Sequence, residues 1–174
     1  MTITLVLGGV RSGKSAFAQR AAEAAAGGER PLLIATGQAF DDEMRARIAR
    51  HQADRGDAWR TIEAPLDLTL ALGPLNADDA VVVDCLTLWL SNHMLADHDL
   101  AAERSALVEA VATCRARLWL VSNEVGWGVV PESALGRRFR DEAGRLHQDL
   151  AALADEVVLV VAGLPLRLKP PLRG

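Results

Sequence analysis

The segment from Ile3 to Ser15 restricts the fold more than any other part of the chain. The apolar run Ile3–Leu7 is followed directly by Gly8-Gly9-Val10-Arg11-Ser12-Gly13-Lys14-Ser15, which fits the pattern GxxxxGK[ST] in full. A helical pattern begins at Ser15. Strand, glycine-rich loop and helix in this order are the context that the pattern requires. The segment therefore predicts a P-loop that binds the phosphates of a nucleoside triphosphate.

The residue types of this loop fit that chemistry. Gly8 and Gly13 allow a tight turn whose amide hydrogens point at phosphate oxygens, and the following helix directs its positive dipole end at the same anion. Lys14 would supply a point charge to the β and γ phosphates, while the Ser15 hydroxyl would ligate Mg²⁺. Lys14 and Lys169 are the only lysines in the chain.

Apolar runs of strand length alternate with helical patterns along the rest of the chain. The runs lack polar alternation, as expected of strands buried on both faces. The predicted strands are Ile3–Leu7, Leu32–Ala35, Val81–Asp84, Leu118–Ser122 and Val157–Val161. The predicted helices are Ser15–Ala26, Asp41–Arg55, Leu66–Leu72, Leu86–Met94, Ala101–Arg115 and Ser133–Leu153. This order predicts an α/β fold with a mainly parallel central sheet and helices on both faces. We expect one domain over residues 1–174, with a loose tail after Lys169.

Polar residues close several predicted strands, and ligands of open α/β sheets bind at the carboxyl ends of strands. Asp84 ends an apolar strand, where P-loop enzymes hold Mg²⁺. Thr36 and the segment 122–124 close two further strands; both could be ordinary loop polarity, although Glu124 could act near the metal or the acceptor. Trp127 lies in a glycine-rich loop, 126–131, that is a candidate lid.

The predicted helix Asp41–Arg55 carries His51 on the same stripe as Met44 and Ile48, so the histidine continues an apolar face. Nearby arginines disfavour the imidazolium form, which would suit a nucleophilic nitrogen in a phosphate-handling site. Spacing alone favours the alternative, a structural histidine at the rim of the core. His93, His98 and His147 have no comparable neighbourhood and are interpreted as surface or packing residues.

Composition excludes several classes of protein. The net charge of −4 gives no field for nonspecific nucleic-acid binding, and no stretch is long and apolar enough to span a membrane. The start of the chain does not resemble a signal peptide, so we expect a cytoplasmic protein. Cys85 and Cys114 lack metal-binding spacing and are expected to be buried thiols.

Several blocks together resemble the bifunctional adenosylcobinamide kinase / adenosylcobinamide-phosphate guanylyltransferase family of cobalamin biosynthesis. The similarity covers nearly the whole chain in register. The matching blocks are GGVRSGKS at 8–15, IATGQAFDDEMRARIARH at 34–51, WRTIEAP at 59–65, VVVDCLTLWLSN at 81–92, VSNEVGWGVVPESALGRRFRDEAGRLHQDLA at 121–151 and ADEVVLVVAGLPLRLK at 154–169.

The resemblance implies two reactions: phosphorylation of adenosylcobinamide by ATP or GTP, and transfer of GMP from GTP to the product through a guanylyl-histidine. His51 matches that histidine, which reverses the interpretation from spacing, and Lys14 is implied in catalysis. The resemblance also implies a RecA-like P-loop fold, a homotrimer and a corrinoid substrate. The matching nucleotide-contacting positions are Gly8–Ser15, Ile34, Ala35, Thr36, Gln52, Ala53, Asp54, Arg55, Glu63 and Asp84.

The chain departs from the family pattern at Gly37, Trp127 and His147, and Trp127 bears on the shape of the corrinoid pocket or lid. Three alternatives stay open at this stage. One is a single-function P-loop small-molecule kinase in which His51 is structural. Another is a nucleotide-dependent switch or assembly protein, although no NKxD guanine-reading motif occurs. A nucleic-acid motor suits neither the length nor the acidic balance.

Overall fold

The computed structural model describes residues 2–38 and 58–170, which contain seven strands and five helices. The strands are β1 (Thr2–Gly8), β2 (Leu32–Ala35), β3 (Arg60–Glu63), β4 (Ala80–Asp84), β5 (Arg117–Asn123), β6 (Glu156–Val161) and β7 (Leu164–Lys169). The helices are α1 (Lys14–Ala25), α2 (Leu68–Leu72), α3 (Leu86–Leu95), α4 (Leu100–Thr113) and α5 (Ala134–Leu153).

All seven strands belong to one sheet, in the order β3-β2-β4-β5-β1-β6-β7. Every pair is parallel except β6 with β7, which form an antiparallel hairpin at one edge. Parallel neighbours need crossover connections, and helices supply them here. The predicted α/β fold with a mainly parallel central sheet is therefore confirmed.

Alternate residues of the strands face two separate cores. Leu32 and Ile34 pack into the larger core, whereas Leu33 between them packs into the smaller one. In the smaller core, α1 lies against the sheet through Ala18 and Ala22, whose short side chains allow close approach. Helices α2 to α5 cover the opposite face. Helices therefore lie on both faces of the sheet, as predicted from the doubly buried strands.

The five strands predicted from apolar runs are present, each extending at most one residue further at either end. The described helices begin or end within two residues of their predicted limits, which is the usual uncertainty of helix ends. The predicted helix Asp41–Arg55 lies outside the described residues.

Two edge strands, β3 and β7, are absent from the sequence prediction. The side chains of β3 are all exposed, and its sequence, RTIE, is largely polar. β7 contains Pro165, which is tolerated on an edge strand because one side of that strand needs no hydrogen-bond donor. The expected loose tail begins after Lys169, and residues 171–174 lie outside the described residues. Lys169 ends β7, and its Nζ donates to Ala151 O at 3.1 Å.

Cys85 and Cys114 are buried and free, as expected. Trp59 and Trp89 are also buried, whereas Trp127 is 76% exposed in the loop after β5. Within residues 2–38 and 58–170, no helix combines the length and apolar character needed to cross a membrane.

Candidate functional site

The loop between β1 and α1 has the backbone conformation that its sequence predicts. Gly13 adopts a left-handed conformation, with φ of 95°, directly before the first residue of α1. Arg11 is also left-handed, with φ of 56°, and Ser12 N donates to Gly9 O at 3.2 Å. The first amides of α1 have no carbonyl one turn earlier to accept their hydrogens. The loop therefore presents its donors and the helix dipole to one position, which is how an anion is bound.

Close packing explains the first glycine of the loop. A Cβ atom on Gly8 would lie 2.6 Å from Val160 O and would also overlap Ser12 Oγ. Two backbone hydrogen bonds hold the loop in place: Glu124 N donates to Gly8 O at 3.0 Å, and Gly163 N donates to Ser12 O at 2.8 Å. The loop is thus fixed by the end of β5 and by the turn between β6 and β7.

Lys14 lies over this loop. Its side chain is largely buried, and Nζ donates to Gly9 O at 3.1 Å. Ser15, the next residue of α1, is partly exposed, while Val10 at the tip of the loop is 78% exposed. The ammonium group is thereby held beside the amides that would bind phosphate, where its charge is little screened by water.

Strand register brings the other predicted residues to the same edge of the sheet. Ala35 pairs with both Glu63 and Asp84, and Gly8 pairs with Asn123. The carboxyl ends of β3, β2, β4, β5 and β1 therefore form one row, with the P-loop at its end. Ile34 lies one residue inside β2, and its side chain is buried in the core.

Thr36 fixes the backbone that follows Asp84. Its hydroxyl accepts a hydrogen bond from Cys85 N at 2.8 Å and donates one to Cys85 O at 2.6 Å. Asn92 on α3 in turn donates to Thr36 O at 2.8 Å. Thr36 is fully buried, so its hydroxyl positions the end of β4. Asp84 itself is partly exposed at that end.

Cys85 lies close to the charged groups of Asp84 and Lys14. Burial raises the pKa of the Cys85 thiol, and the Asp84 carboxylate raises the pKa further, while Lys14 acts in the opposite direction. The thiol lies 3.1 Å from Thr87 Oγ1. Cys85 is therefore a protonated, buried thiol with no nucleophilic character, and Lys14 lies near enough to Asp84 for their charges to act on the same group.

A hydrogen-bonded histidine supports the end of β5. His147 on α5 is buried, and its Nε2 lies 2.7 Å from Ser122 Oγ. Its Nδ1 lies 3.9 Å from Glu124 Oε2, and Glu124 Oε1 accepts from Gly126 N at 2.7 Å. Burial lowers the pKa of His147, and the Glu124 carboxylate opposes that shift only in part. Ser122 is fully buried, so this trio positions the loop after β5.

The sequence predicted polar residues at the end of β5 but not their contact with His147. Of the two interpretations, surface or packing, the burial of His147 fits packing. Neither interpretation includes its contacts with Ser122 and Glu124. His51, Gln52, Ala53, Asp54 and Arg55 lie outside the described residues.

Hard oxygen donors at this edge suit Mg²⁺, which takes few protein ligands and relies on substrate phosphates for others. The donors are the Ser15 hydroxyl at the start of α1 and the Asp84 carboxylate at the end of β4. The start of α1 and the carboxyl end of β4 both lie at the edge of the sheet that holds the P-loop, so these two oxygen donors fit Mg²⁺.

Comparison with known proteins identifies the family. The cobinamide kinase / cobinamide phosphate guanyltransferase family matches residues 4–168. The chain belongs to this family. It is therefore a nucleotide-dependent enzyme of the cobalamin pathway, a kinase and guanyltransferase, as the resemblance implied.

Relatives cover almost the full length of the chain. The bifunctional adenosylcobalamin biosynthesis protein CobP of Pseudomonas aeruginosa is 50% identical over 168 residues, 95% of this chain and 96% of that protein. The corresponding protein CobU of Salmonella typhimurium is 45% identical over 182 residues, 95% of this chain and 98% of that protein. Among solved structures, the flagellar accessory protein FlaH of Methanocaldococcus jannaschii has a TM-score of 0.52 at 11% identity. That match covers 98% of this chain and 79% of the other, and it shows the shared fold alone.

Proposed function

We propose that the chain phosphorylates adenosylcobinamide with ATP or GTP and then transfers GMP from GTP to adenosylcobinamide phosphate through a guanylyl-His51 intermediate. The observation that carries this proposal is the convergence of the P-loop, Lys14 and Asp84 at one edge of the sheet in a member of this family. The product is adenosyl-GDP-cobinamide, with pyrophosphate as the leaving group.

In the kinase step, the hydroxyl oxygen of the aminopropanol arm attacks the γ phosphorus, and the bond from that phosphorus to the β–γ bridging oxygen breaks. Such a transfer needs mainly positioning and charge stabilisation. Gly8–Ser15 would hold the phosphates through backbone amides, and Lys14 would neutralise charge on the leaving oxygens. Magnesium, held by Ser15 and Asp84, supplies further charge neutralisation when bound.

In the guanylyl step, a neutral imidazole nitrogen of His51 attacks the α phosphorus of GTP, and pyrophosphate leaves. A phosphate oxygen of adenosylcobinamide phosphate then attacks the same phosphorus, and the P–N bond breaks. Two in-line displacements replace one difficult displacement. His51 is assigned by its match to the family motif at 34–51, and we assign Gln52–Arg55, Ile34–Thr36 and Glu63 to the nucleotide site on the same ground.

A single-function kinase is the second candidate, because the P-loop, Lys14 and Asp84, which suit phosphoryl transfer, lie together at the described edge of the sheet. The two are separated by incubating the protein with adenosylcobinamide, GTP and Mg²⁺ and separating the corrinoid products. The proposal expects adenosylcobinamide phosphate first and adenosyl-GDP-cobinamide afterwards. Accumulation of adenosylcobinamide phosphate alone, with GTP in excess, would support the single-function kinase. Added DNA or RNA should leave nucleotide turnover unchanged, which separates both candidates from a nucleic-acid motor.

The chain also carries an apolar row suited to self-association. Leu164, Leu166 and Leu168 alternate along β7 at the edge of the sheet, and all three are exposed. Exposed apolar rows on an edge strand are uncommon unless another surface covers them. We assign the chain to a cytoplasmic homo-oligomer, a trimer by family resemblance, built from a single domain.

A further inference from the structure

A cluster of three potential metal ligands lies at the turn between α3 and α4. His93 belongs to the last turn of α3, His98 to the connection, and Glu103 to the first turn of α4. One ligand atom from each residue lies within 4.8 Å of the other two. None of the three residues belongs to the nucleotide site described above.

The distances in the cluster fit one small cation. His93 Nδ1 lies 2.9 Å from His98 Nδ1, and Glu103 Oε1 lies 3.7 Å from each of those nitrogens. The nearest point equidistant from the three atoms lies in their plane, about 2.0 Å from each. A tetrahedral zinc ion slightly out of that plane would therefore have bonds close to the roughly 2.0–2.2 Å of zinc to imidazole nitrogen and carboxylate oxygen. The ligand triangle therefore has the size of a zinc coordination face.

The protein directs the lone pair of His93 into this triangle. His93 Nε2 lies 3.2 Å from Leu66 O, and a carbonyl can only accept, so Nε2 carries the hydrogen. In the neutral ring, Nδ1 is then the unprotonated atom, so His98 Nδ1 donates the 2.9 Å hydrogen bond to it. A cation that binds both nitrogens replaces this hydrogen bond, and His98 then carries its hydrogen on Nε2. Metal-binding histidines commonly donate their second N–H to a carbonyl in this way. The ring is also held by Trp89, whose centroid is 4.6 Å away.

Backbone hydrogen bonds fix the connection that brings His98 and Glu103 together. His98 N donates to His93 O at 3.0 Å, and Glu103 N donates to Asp99 O at 3.0 Å. The Asp99 carboxylate caps α4 by accepting from Ala101 N at 3.0 Å. The ligands thus lie on rigid elements, as a preorganised site requires.

We propose that His93, His98 and Glu103 bind a divalent transition-metal cation of the zinc class. Two imidazoles and one carboxylate suit zinc, cobalt, nickel or copper rather than Mg²⁺, which prefers oxygen ligands. Three protein ligands leave a fourth position for water. His98 and Glu103 are partly exposed, with side chains 41% and 34% accessible, so the ion can enter from solvent. Bound there, it joins the end of α3 to the start of α4.

The test is a titration of the tag-free full-length chain with Zn²⁺ against a chromophoric chelator. Excess Mg²⁺ is present throughout, so that the nucleotide site does not contribute. The variants are His98→Ala, at an exposed position, and Glu103→Gln, at a partly exposed one. Glu109→Gln is the matched control, because Glu109 lies on the same helix and is exposed. His93 is left intact because its burial makes replacement a threat to folding.

We expect one Zn²⁺ per chain, and Co²⁺ in its place should give the visible absorption of a four-coordinate site. His98→Ala and Glu103→Gln should weaken Zn²⁺ binding by at least about tenfold, since losing even an outer-shell partner commonly costs that much. Glu109→Gln should bind as the wild type does. At one Zn²⁺ concentration, the Tm of the wild type and of Glu109→Gln should rise more than that of Glu103→Gln. Unchanged affinity in both ligand variants, or no saturable binding by the wild type in the micromolar range, would overturn the proposal.

Discussion

The hydroxyl of Thr36 forms hydrogen bonds with both backbone polar atoms of Cys85, at 2.8 Å to the nitrogen and 2.6 Å to the oxygen. This relationship joins the end of β2 to the residue that follows Asp84. Because the contact is buried, no water can replace the hydroxyl. Together with the strand pairing of Asp84, this side chain fixes the backbone at the proposed Mg²⁺ site.

Replacing Thr36 with Val keeps the shape of the side chain and removes both hydrogen bonds. Leaving a buried polar group unpaired costs about 1–3 kcal/mol, so we expect a lower free energy of unfolding and a higher KM for magnesium–GTP. Denaturant unfolding and steady-state kinetics measure the two effects. Thr36→Ser is the control: it keeps the hydroxyl and should keep the wild-type KM, although the loss of a buried methyl group lowers its stability by about 1 kcal/mol. Wild-type behaviour of Thr36→Val would contradict the role given to this hydroxyl.

Adjacent glycines of the P-loop should respond differently to substitution. Gly8→Ala introduces a Cβ 2.6 Å from Val160 O, whereas a Cβ on Gly9 meets nothing within 4 Å. Overpacking a rigid site costs about 1–3 kcal/mol. We therefore expect Gly8→Ala to lower the Tm of the nucleotide-free protein clearly, with Gly9→Ala near the wild-type value. Equal Tm values for the two variants would contradict the close packing of Gly8 against Val160 O.

The two lysines provide a matched pair for the kinase step. Lys14→Ala removes the cation held over the P-loop, and loss of one such group typically lowers kcat by about a hundredfold or more. Lys169→Ala removes a side chain that donates to Ala151 O and Ala152 O at the end of α5. Transfer of the γ phosphoryl group to adenosylcobinamide should be lost in the first variant and retained in the second. Normal transfer by Lys14→Ala would exclude the proposed phosphate site.

His147 should make stability depend on pH. Burial lowers its folded pKa below the ordinary value of 6.5, so the unfolded chain takes up a proton first as the pH falls. The contribution of His147 to stability is full above about pH 6.5 and is lost progressively below it, by at most about 1.4 kcal/mol per pH unit.

His147→Asn removes this titration while retaining a hydrogen-bonding side chain. The free energy of unfolding, measured by denaturant titration between neutral and mildly acidic pH, should therefore fall less steeply in the variant than in the wild type. The comparison uses slopes, so any constant change in stability caused by the substitution cancels. Parallel pH profiles for the two proteins would contradict the assigned protonation of His147.

Sequence reasoning predicted the strands that are buried on both faces, because β1, β2, β4, β5 and β6 are continuous apolar runs. It did not predict β3, whose sequence is largely polar, or β7, where Pro165 interrupts the strand pattern and is tolerated only because the strand lies at an edge. The P-loop was predictable for a different reason. Its residues are contiguous, so the strand, the glycine pattern and the helix that follows can be identified from a short segment. The contacts of the loop with Glu124 and Gly163, which hold it in place, depend on the fold.

The polar clusters depend on packing and could not be found from spacing. Ser122 and His147 are 25 residues apart, and they meet only because α5 packs beside the end of β5. His93 and His98 are close in sequence, but their contact depends on the turn after α3, in which His98 N donates to His93 O. The sequence therefore does not identify the polar partners of His93, His98 and His147.

The proposed passage of GMP through His51 is tested most directly by an intact-mass spectrum after incubation with GTP and Mg²⁺. We expect a covalent GMP adduct that is labile in acid and stable in base. The adduct should be absent in His51→Ala and present in the control His98→Ala. No adduct under conditions where GTP demonstrably binds, or an equal adduct in His51→Ala, would contradict the claim.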